Sequence, residues 1–355
     1  MKISFGMIVI NGEPFIRYNL ESLYPHAHEI IVVEGAVERY RHAATPDGHS
    51  RDRTVEIIKK FPDPEGKIKL VQRNGFWPEK DDMANAYLQC CSGDYVWQVD
   101  VDEFYRAEDI EKVRSILEFN TDISRVDIKS VIFWRSFSAV IQGASLVYGA
   151  DNFRRIYRFR PGYRYITHRP PTMQDETGQE LTGRVVTADE LLDQHGVFMY
   201  HYSYIFPEYV KGKAEYYSKM EWGRGHEDGL DWYDEQWCTL SNPLRVHMVN
   251  YPPSWIIPFQ GQHPDSILQM LKDVGYNEDA DIIAFLQGAY QRYAVIGEKL
   301  KNVILDVENG KLTKTRALLS TLGTLLMPFD KKRVAANKSI INVLRRISED
   351  RLFGN

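Results

Sequence analysis

A chain of 355 residues, 43% hydrophobic and 26% charged, has room for one large domain with an appendage, or for two domains, and its make-up is that of a soluble globular protein. Its formal net charge of −5 gives no bulk case for a nucleic-acid partner. Its three cysteines, Cys90, Cys91 and Cys238, argue against a disulfide framework and for a reducing, cytoplasmic setting, and no Cys/His spacing reads as a zinc site.

The apolar start, Met1 to Ile10, is too short for a signal peptide and lacks a small-residue cleavage pattern. It reads as a buried strand over residues 3–10. Asn11-Gly12-Glu13-Pro14 breaks that strand, and Pro14 suits the first turn of a helix carrying Phe15, Ile16, Leu20 and Leu23. Residues 29–33 form a second strand ending on Glu34-Gly35. Strand, helix and strand in this order predict a parallel pair with a right-handed crossover. A polar loop fills 36–49, and Ser50, Asp52 and Thr54 offer N-cap residues for the next helix. A short strand at 68–71 and a helix from Lys80 to Cys91 lead through Ser92-Gly93-Asp94 to a buried strand opening on Tyr95-Val96-Trp97. Beyond Asp109 come a helix, a single strand over 126–134 and another over 152–159. Residues 160–195 are loop-rich, 196–205 extended and 211–222 helical. From residue 264 the pattern is mostly helical, at 266–274, 279–308, 313–326 and 331–348. No run of about 18 apolar residues exists to span a membrane.

The strand from Tyr95 ends in three carboxylates, Asp100, Asp102 and Glu103. If the backbone stays extended, Asp100 and Asp102 share a face. The C-terminal end of a buried strand is where open α/β sheets bind ligands. Oxygen ligands suit Mg²⁺ or Mn²⁺, which often carry a substrate diphosphate. The plain alternative is a solvated acidic turn, and a bare Asp-x-Asp does not decide between them.

The neighbouring residues do. Lys80-x₄-Asn85-x₇-Gly93-Asp94-Tyr95-Val96-x₃-Asp100-x-Asp102-Glu103 resembles the core of GT-A-fold, family-2-like glycosyltransferases. Ser50-x-Asp52-x-Thr54 is similar to the start of that family's second helix, and Asn11 with Glu13 to the end of its first strand. The resemblance implies a Rossmann-like α/β fold with a mostly parallel sheet flanked by helices. It places a catalytic domain at 1–260, with a nucleotide-sugar half at 1–105 and an acceptor half at 106–260, and leaves 261–355 as a helical C-terminal extension. The implied activity is metal-dependent transfer of a sugar from a nucleotide-diphosphate sugar to a glycan or other hydroxyl acceptor, with Mn²⁺ or Mg²⁺ as cofactor. The nucleotide-sugar residues would be Asn11, Glu13, Glu34, Lys80 and Asp100, and the metal ligands Asp100, Asp102 and His201. Farther on, Arg155-Ile-Tyr-Arg158, His168 and His201-Tyr-Ser-Tyr204 with Lys211 and Lys213 are more loosely similar to later family motifs. The chain departs from the pattern in Glu34-Gly-Ala where Asp-Asp-Gly is usual, in an insertion before Ser50, and in Arg169 where a Glu usually follows the His.

Inverting transfer needs a group within reach of the acceptor hydroxyl. His168 is one candidate. Trp222-Gly-Arg-Gly-His-Glu227-Asp228 resembles a motif of some inverting galactosyltransferases; it offers Glu227 and Asp228, with His247 as a rival metal ligand. The plain reading of that stretch is a Gly-rich acidic loop. A pyrophosphorylase-like nucleotidyltransferase and a non-catalytic nucleotide- or carbohydrate-binding protein are the competing functions. Asn11-Gly-Glu-Pro, where nucleotidyltransferases carry a Gly-rich basic loop, disfavours the first. Near the C-terminus, Val334, Ile341, Leu344 and Ile347 share a helical face among basic residues, which suits peripheral membrane contact or packing on the domain.

Overall fold

The computed structural model describes residues 1–143, 153–168, 170–218, 229–248, 254–278 and 280–309. The chain forms two compact units, one of residues 1–132, 150–203 and 261–277, the other of 133–149, 204–260 and 278–355. The strands are β1 (Ile3–Val9), β2 (Glu29–Glu34), β3 (Ile68–Val71), β4 (Tyr95–Gln98), β5 (Glu103–Phe104), β6 (Ile123–Ile128), β7 (Ser130–Trp134), β8 (Ser136–Gly143), β9 (Phe153–Arg158), β10 (Arg164–His168), β11 (Pro171–Gln174), β12 (Arg184–Val186), β13 (Met199–Tyr204) and β14 (Ser254–Pro258). The helices that matter below are α1 (Phe15–Leu23), α2 (Thr54–Lys60), α3 (Lys80–Cys90), α4 (Ala107–Phe119), α5 (Ala188–His195), α6 (Pro207–Ser218), α7 (Gly229–Trp232), α8 (Asp265–Asp273) and α9 (Ala280–Glu308).

The first unit holds a seven-stranded sheet in the order β12-β6-β9-β4-β1-β2-β3. β1 pairs parallel with β2 and with β4, β2 with β3, and β12 with β6; only β9 runs antiparallel to its neighbours. The expected α/β fold with a mostly parallel sheet is therefore present. β2 and β4 are buried along their whole length and β1 nearly so, which their unbroken apolar runs anticipate for strands covered on both faces. Two glycines set close approaches. A methyl group at Gly6 would fall 2.5 Å from the Tyr87 ring, so α3 lies tightly on β1. A methyl group at Gly93 would fall 2.6 Å from the Ser4 hydroxyl and 2.9 Å from the Lys2 carbonyl. Gly93→Ala should therefore cost about 1–3 kcal/mol by overpacking, read as a lowered urea midpoint at unchanged slope.

Three local readings differ from expectation. The strand foreseen over 126–134 is two, β6 and β7, because pairing with β9 shifts register at Val126/Asp127 and the Lys129 carbonyl then accepts the Met199 N–H at 2.8 Å. The Lys129 ammonium meanwhile pairs with Asp189. The loop-rich stretch 160–195 contains the β10–β11 hairpin, β12 and α5. α5 is capped by the Thr187 hydroxyl, which accepts the Glu190 N–H, and closed by Gly196 at φ 65°. Finally, α2 begins at Thr54, and the residues before it do other work described below.

The helical expectations at 266–274 and 279–308 correspond to α8 and α9. α8 belongs to the first unit, where Asp273 accepts the Tyr18 hydroxyl of α1 at 2.9 Å. In the second unit β8 and β14 pair antiparallel, and the Tyr293 hydroxyl of α9 accepts the Ile256 N–H at 3.3 Å. The helices expected at 313–326 and 331–348, the basic amphipathic one included, lie outside the described residues. No helix among the described residues is long and apolar enough to cross a membrane.

Candidate functional site

β1 has β2 on one side and β4 on the other, so the chain reverses its direction of travel across the sheet at β1/β4. The crevice outside the C-terminal ends of these strands is the general ligand site of open α/β sheets. The three carboxylates arrive there. The Val99 N–H still bonds the Gly6 carbonyl at 3.0 Å, and then the backbone turns: the Glu103 N–H meets the Asp100 carbonyl at 2.9 Å, and the Asp100 N–H meets the Glu103 carboxylate at 3.1 Å. The acidic run is thus a closed turn, not the extended strand that simple alternation assumes.

Asn19 holds the turn from below. It is fully buried on α1, and its amide nitrogen donates toward the carbonyls of Asp100, Val101 and Glu103 at 3.4, 3.1 and 2.8 Å. Phe15, Asn19 and Leu23 share one helical row, so the clue in the sequence is a lone amide on an apolar face. Asn19→Leu should preserve the apolar row and free the turn. We expect tenfold or faster amide exchange at residues 101–103, read by mass spectrometry, with the far-UV spectrum unchanged. Exchange as slow as in the wild type would show that the turn needs no clamp.

The turn separates its carboxylates. Arg155 of β9, itself buried, pairs with Glu103 and reaches Asp100 at 3.2 Å. Burial pushes the Glu103 carboxyl up to about 8, against the pull of Arg155 and with the charges of Asp100 and Asp102 adding to the rise. Asp102 takes a different partner. β5 pairs antiparallel with β13, placing His201 opposite Glu103, and the Tyr202 N–H bonds the Asp102 carbonyl at 2.9 Å. The His201 Nε2 then lies 3.5 Å from the Asp102 carboxylate. Among the described residues no group of three or more His, Cys, Asp or Glu side chains is arranged to hold a metal ion. Asp102 and His201 offer a two-ligand set, which fits a hard cation that keeps water and substrate phosphate as its other ligands.

The next wall of the crevice is built by reciprocal hydrogen bonds. The backbone N–H groups of Asn11, Gly12 and Glu13 donate in turn to Ser50 Oγ (3.0 Å), Thr54 Oγ1 (2.7 Å) and Asp52 Oδ2 (3.0 Å). In return Asn11 Oδ1 accepts the Arg51 N–H at 2.8 Å, and the Glu13 carboxylate accepts the Arg53 N–H at 2.9 Å. Ser50 and Asp52 thus close the β1–α1 turn, where the sequence suggested helix caps. Glu34 is fully buried and accepts from the Ser50 N–H and hydroxyl, His49 and Gln72.

Lys80 opens α3 and is half-buried. One turn further, the Asn85 amide clamps Tyr165 of β10 in both directions, at 2.9 and 2.8 Å. His168 ends the same strand, buried, with its backbone N–H bonded to Asp81. Burial nonetheless pushes the Asp81 carboxyl up, with Glu79 and Asp82 adding to it. His247 lies in the second unit, its ring edge-on to Tyr204 at 5.9 Å. Glu227 and Asp228 lie outside the described residues.

The description Glycosyl transferase family 2 matches residues 4–134, which hold the whole Asn11–Glu13, Ser50–Thr54, Lys80 and Asp100–Glu103 assembly. Residues 4–134 are a family 2 glycosyltransferase domain. The fold is accordingly GT-A. No curated protein matches the chain. Among solved structures, Staphylococcus aureus TarS (residues 1–349) is 21% identical over 44% of this chain and 47% of its own, with a TM-score of 0.31. Mycobacterium tuberculosis glucosyl-3-phosphoglycerate synthase, in complex with Mn²⁺, uridine diphosphate and glucosyl-3-phosphoglycerate, is 20% identical over 37% and 44%, with a TM-score of 0.28. The chain thus spans less than half the length of these structures. Asn19, His49 and Gln72 take part in these networks although no motif contains them. Arg155 stands out in the sequence only as part of an Arg-x-x-Arg pattern.

Proposed function

We propose that the protein transfers a sugar from a nucleotide-diphosphate sugar to a hydroxyl of a glycan or similar acceptor, with Mn²⁺ or Mg²⁺. The observation that carries this is the Asp102–His201 pair at the C-terminal end of β4, beside the point where the sheet changes direction. Asp102 and His201 would hold the cation. When bound, such an ion stabilises the negative charge that develops on a leaving diphosphate. Asp100, held by Arg155, faces the ribose or a water of the ion's shell. Asn11 and Glu13 shape the wall beside it, and Lys80 offers charge to phosphate. The proton of the acceptor hydroxyl goes to a base drawn from Asp228, Glu227 and His168. In this reading residues 1–105 serve the donor and 106–260 the acceptor.

A thermal-shift series with nucleotide sugars, with and without Mn²⁺, tests it. Wild-type protein should be stabilised only when both are present, and Asp102→Ala should lose the Mn²⁺-dependent part. If no nucleotide sugar stabilises the wild type under any metal condition, the transferase reading fails.

A further inference from the structure

The ends of β1, β2 and β3 carry a second polar network, separate from the acidic turn. Glu34, the last residue of β2, is fully buried. One of its oxygens accepts the Ser50 N–H and hydroxyl at 2.7 and 2.8 Å; the other accepts His49 Nδ1 at 2.7 Å and Gln72 Nε2 at 2.8 Å. Ser50 links this carboxylate to the Asn11 N–H past β1, and Gln72 follows directly on β3. Every oxygen of Glu34 is committed, so the carboxylate itself has little left for a ligand. His49 does: its side chain is 22% exposed, and only Nδ1 is used.

The tautomer follows from the partner. A carboxylate only accepts, so Nδ1 carries a proton, and the neutral ring then presents Nε2 as an acceptor. A buried carboxylate that orients an imidazole in this way is the arrangement proteins use to fix a working histidine. Position narrows the work. β4 and β2 flank β1, so Glu34 ends a strand two steps, about 10 Å, from the strand that bears the acidic turn. A nucleotide whose diphosphate sat at Asp102 and whose nucleoside ran over the ends of β1 and β2 would bring its base to His49.

We infer that His49, held by Glu34, reads the base of the donor nucleotide and selects bases with a ring N–H at their pairing edge. Uracil, thymine and guanine supply that N–H to Nε2; adenine and cytosine present a bare ring nitrogen there. This rests on the transferase reading above, and goes beyond it in naming the reader and the donor class.

Calorimetry on the full chain with Mn²⁺, using UDP, GDP, ADP, CDP and inorganic pyrophosphate as probes, tests it. Wild-type protein should bind UDP or GDP about tenfold tighter than ADP and CDP, the worth of one hydrogen bond. His49→Asn keeps a donor for Glu34 and removes Nε2. It should erase the preference while leaving pyrophosphate binding unchanged. Glu34→Gln places an amide N–H against Nδ1, moves the ring proton to Nε2, and should turn the preference toward ADP and CDP. A wild type that binds pyrophosphate but does not discriminate among bases overturns the inference alone. So does a His49→Asn protein that still discriminates, or that loses pyrophosphate as well. A wild type that binds neither pyrophosphate nor any nucleotide overturns the transferase reading and this inference together.

Discussion

Asp102→Ala should lower kcat/KM for sugar transfer by about 10²–10³-fold, the usual cost of removing one group that stabilises developing charge. Asp102 is 3% exposed and sits 3.5 Å from His201, so on the proposed reading the substitution strips one of the two ligands and removes the carboxylate beside the imidazole. The fold should survive, because the turn is held by Asn19 and by the Glu103–Arg155 pair, neither of which involves the Asp102 side chain. The measurement is a Mn²⁺ titration of initial rate at saturating donor, with circular dichroism as the control for folding. A loss in kcat with a raised Mn²⁺ midpoint is the expected signature. Activity within tenfold of wild type at every Mn²⁺ concentration would remove Asp102 from the metal set. His201→Ala should raise the midpoint in the same direction, and His247→Ala should not.

The framework of this site was legible because it is written in short-range pattern. β1, β2 and β4 are buried on both faces, so their apolar runs mark them without help from periodicity. The acidic turn and the Ser50–Thr54 segment were also visible as residue types in order. What they do was not. Ser50, Asp52 and Thr54 read as helix caps because capping and loop-closing use the same side chains. Only the fold brings Asn11–Glu13, some forty residues distant, to meet them. Asn19 bonds Val101 across 82 positions, and no local signal predicts that a buried amide will find three carbonyls there. Glu34 read as a ligand acceptor at a strand end, where the structure shows it already saturated by His49, Ser50 and Gln72. Polar groups in a site are specified by their partners, and partners are a property of topology.

Arg155→Met should be the most destabilising single change in the first unit, by about 3–5 kcal/mol, because it leaves Glu103 buried with no cation. Arg155 and Glu103 are both almost fully enclosed, and the nearby carboxylates of Asp100 and Asp102 repel Glu103. The loss should depend on pH with a definite sign. Burial already holds the folded Glu103 carboxyl above its ordinary value, at about 8. A raised carboxyl makes the native state bind a proton that the unfolded chain has released, so stability falls as pH climbs from the ordinary carboxyl range toward that value. Removing Arg155 removes the larger of two pulls in the opposite direction and leaves only the Asp100 N–H, so the variant should lose more at pH 8 than at pH 5. Urea unfolding at both values in EDTA, which keeps any cation from altering the charge balance, measures this. Adding Glu103→Gln to Arg155→Met removes the stranded charge and should recover a large part of the loss, most of it at pH 8. Equal losses at the two pH values, or no recovery in the double variant, would mean that the pair contributes through packing and not through charge.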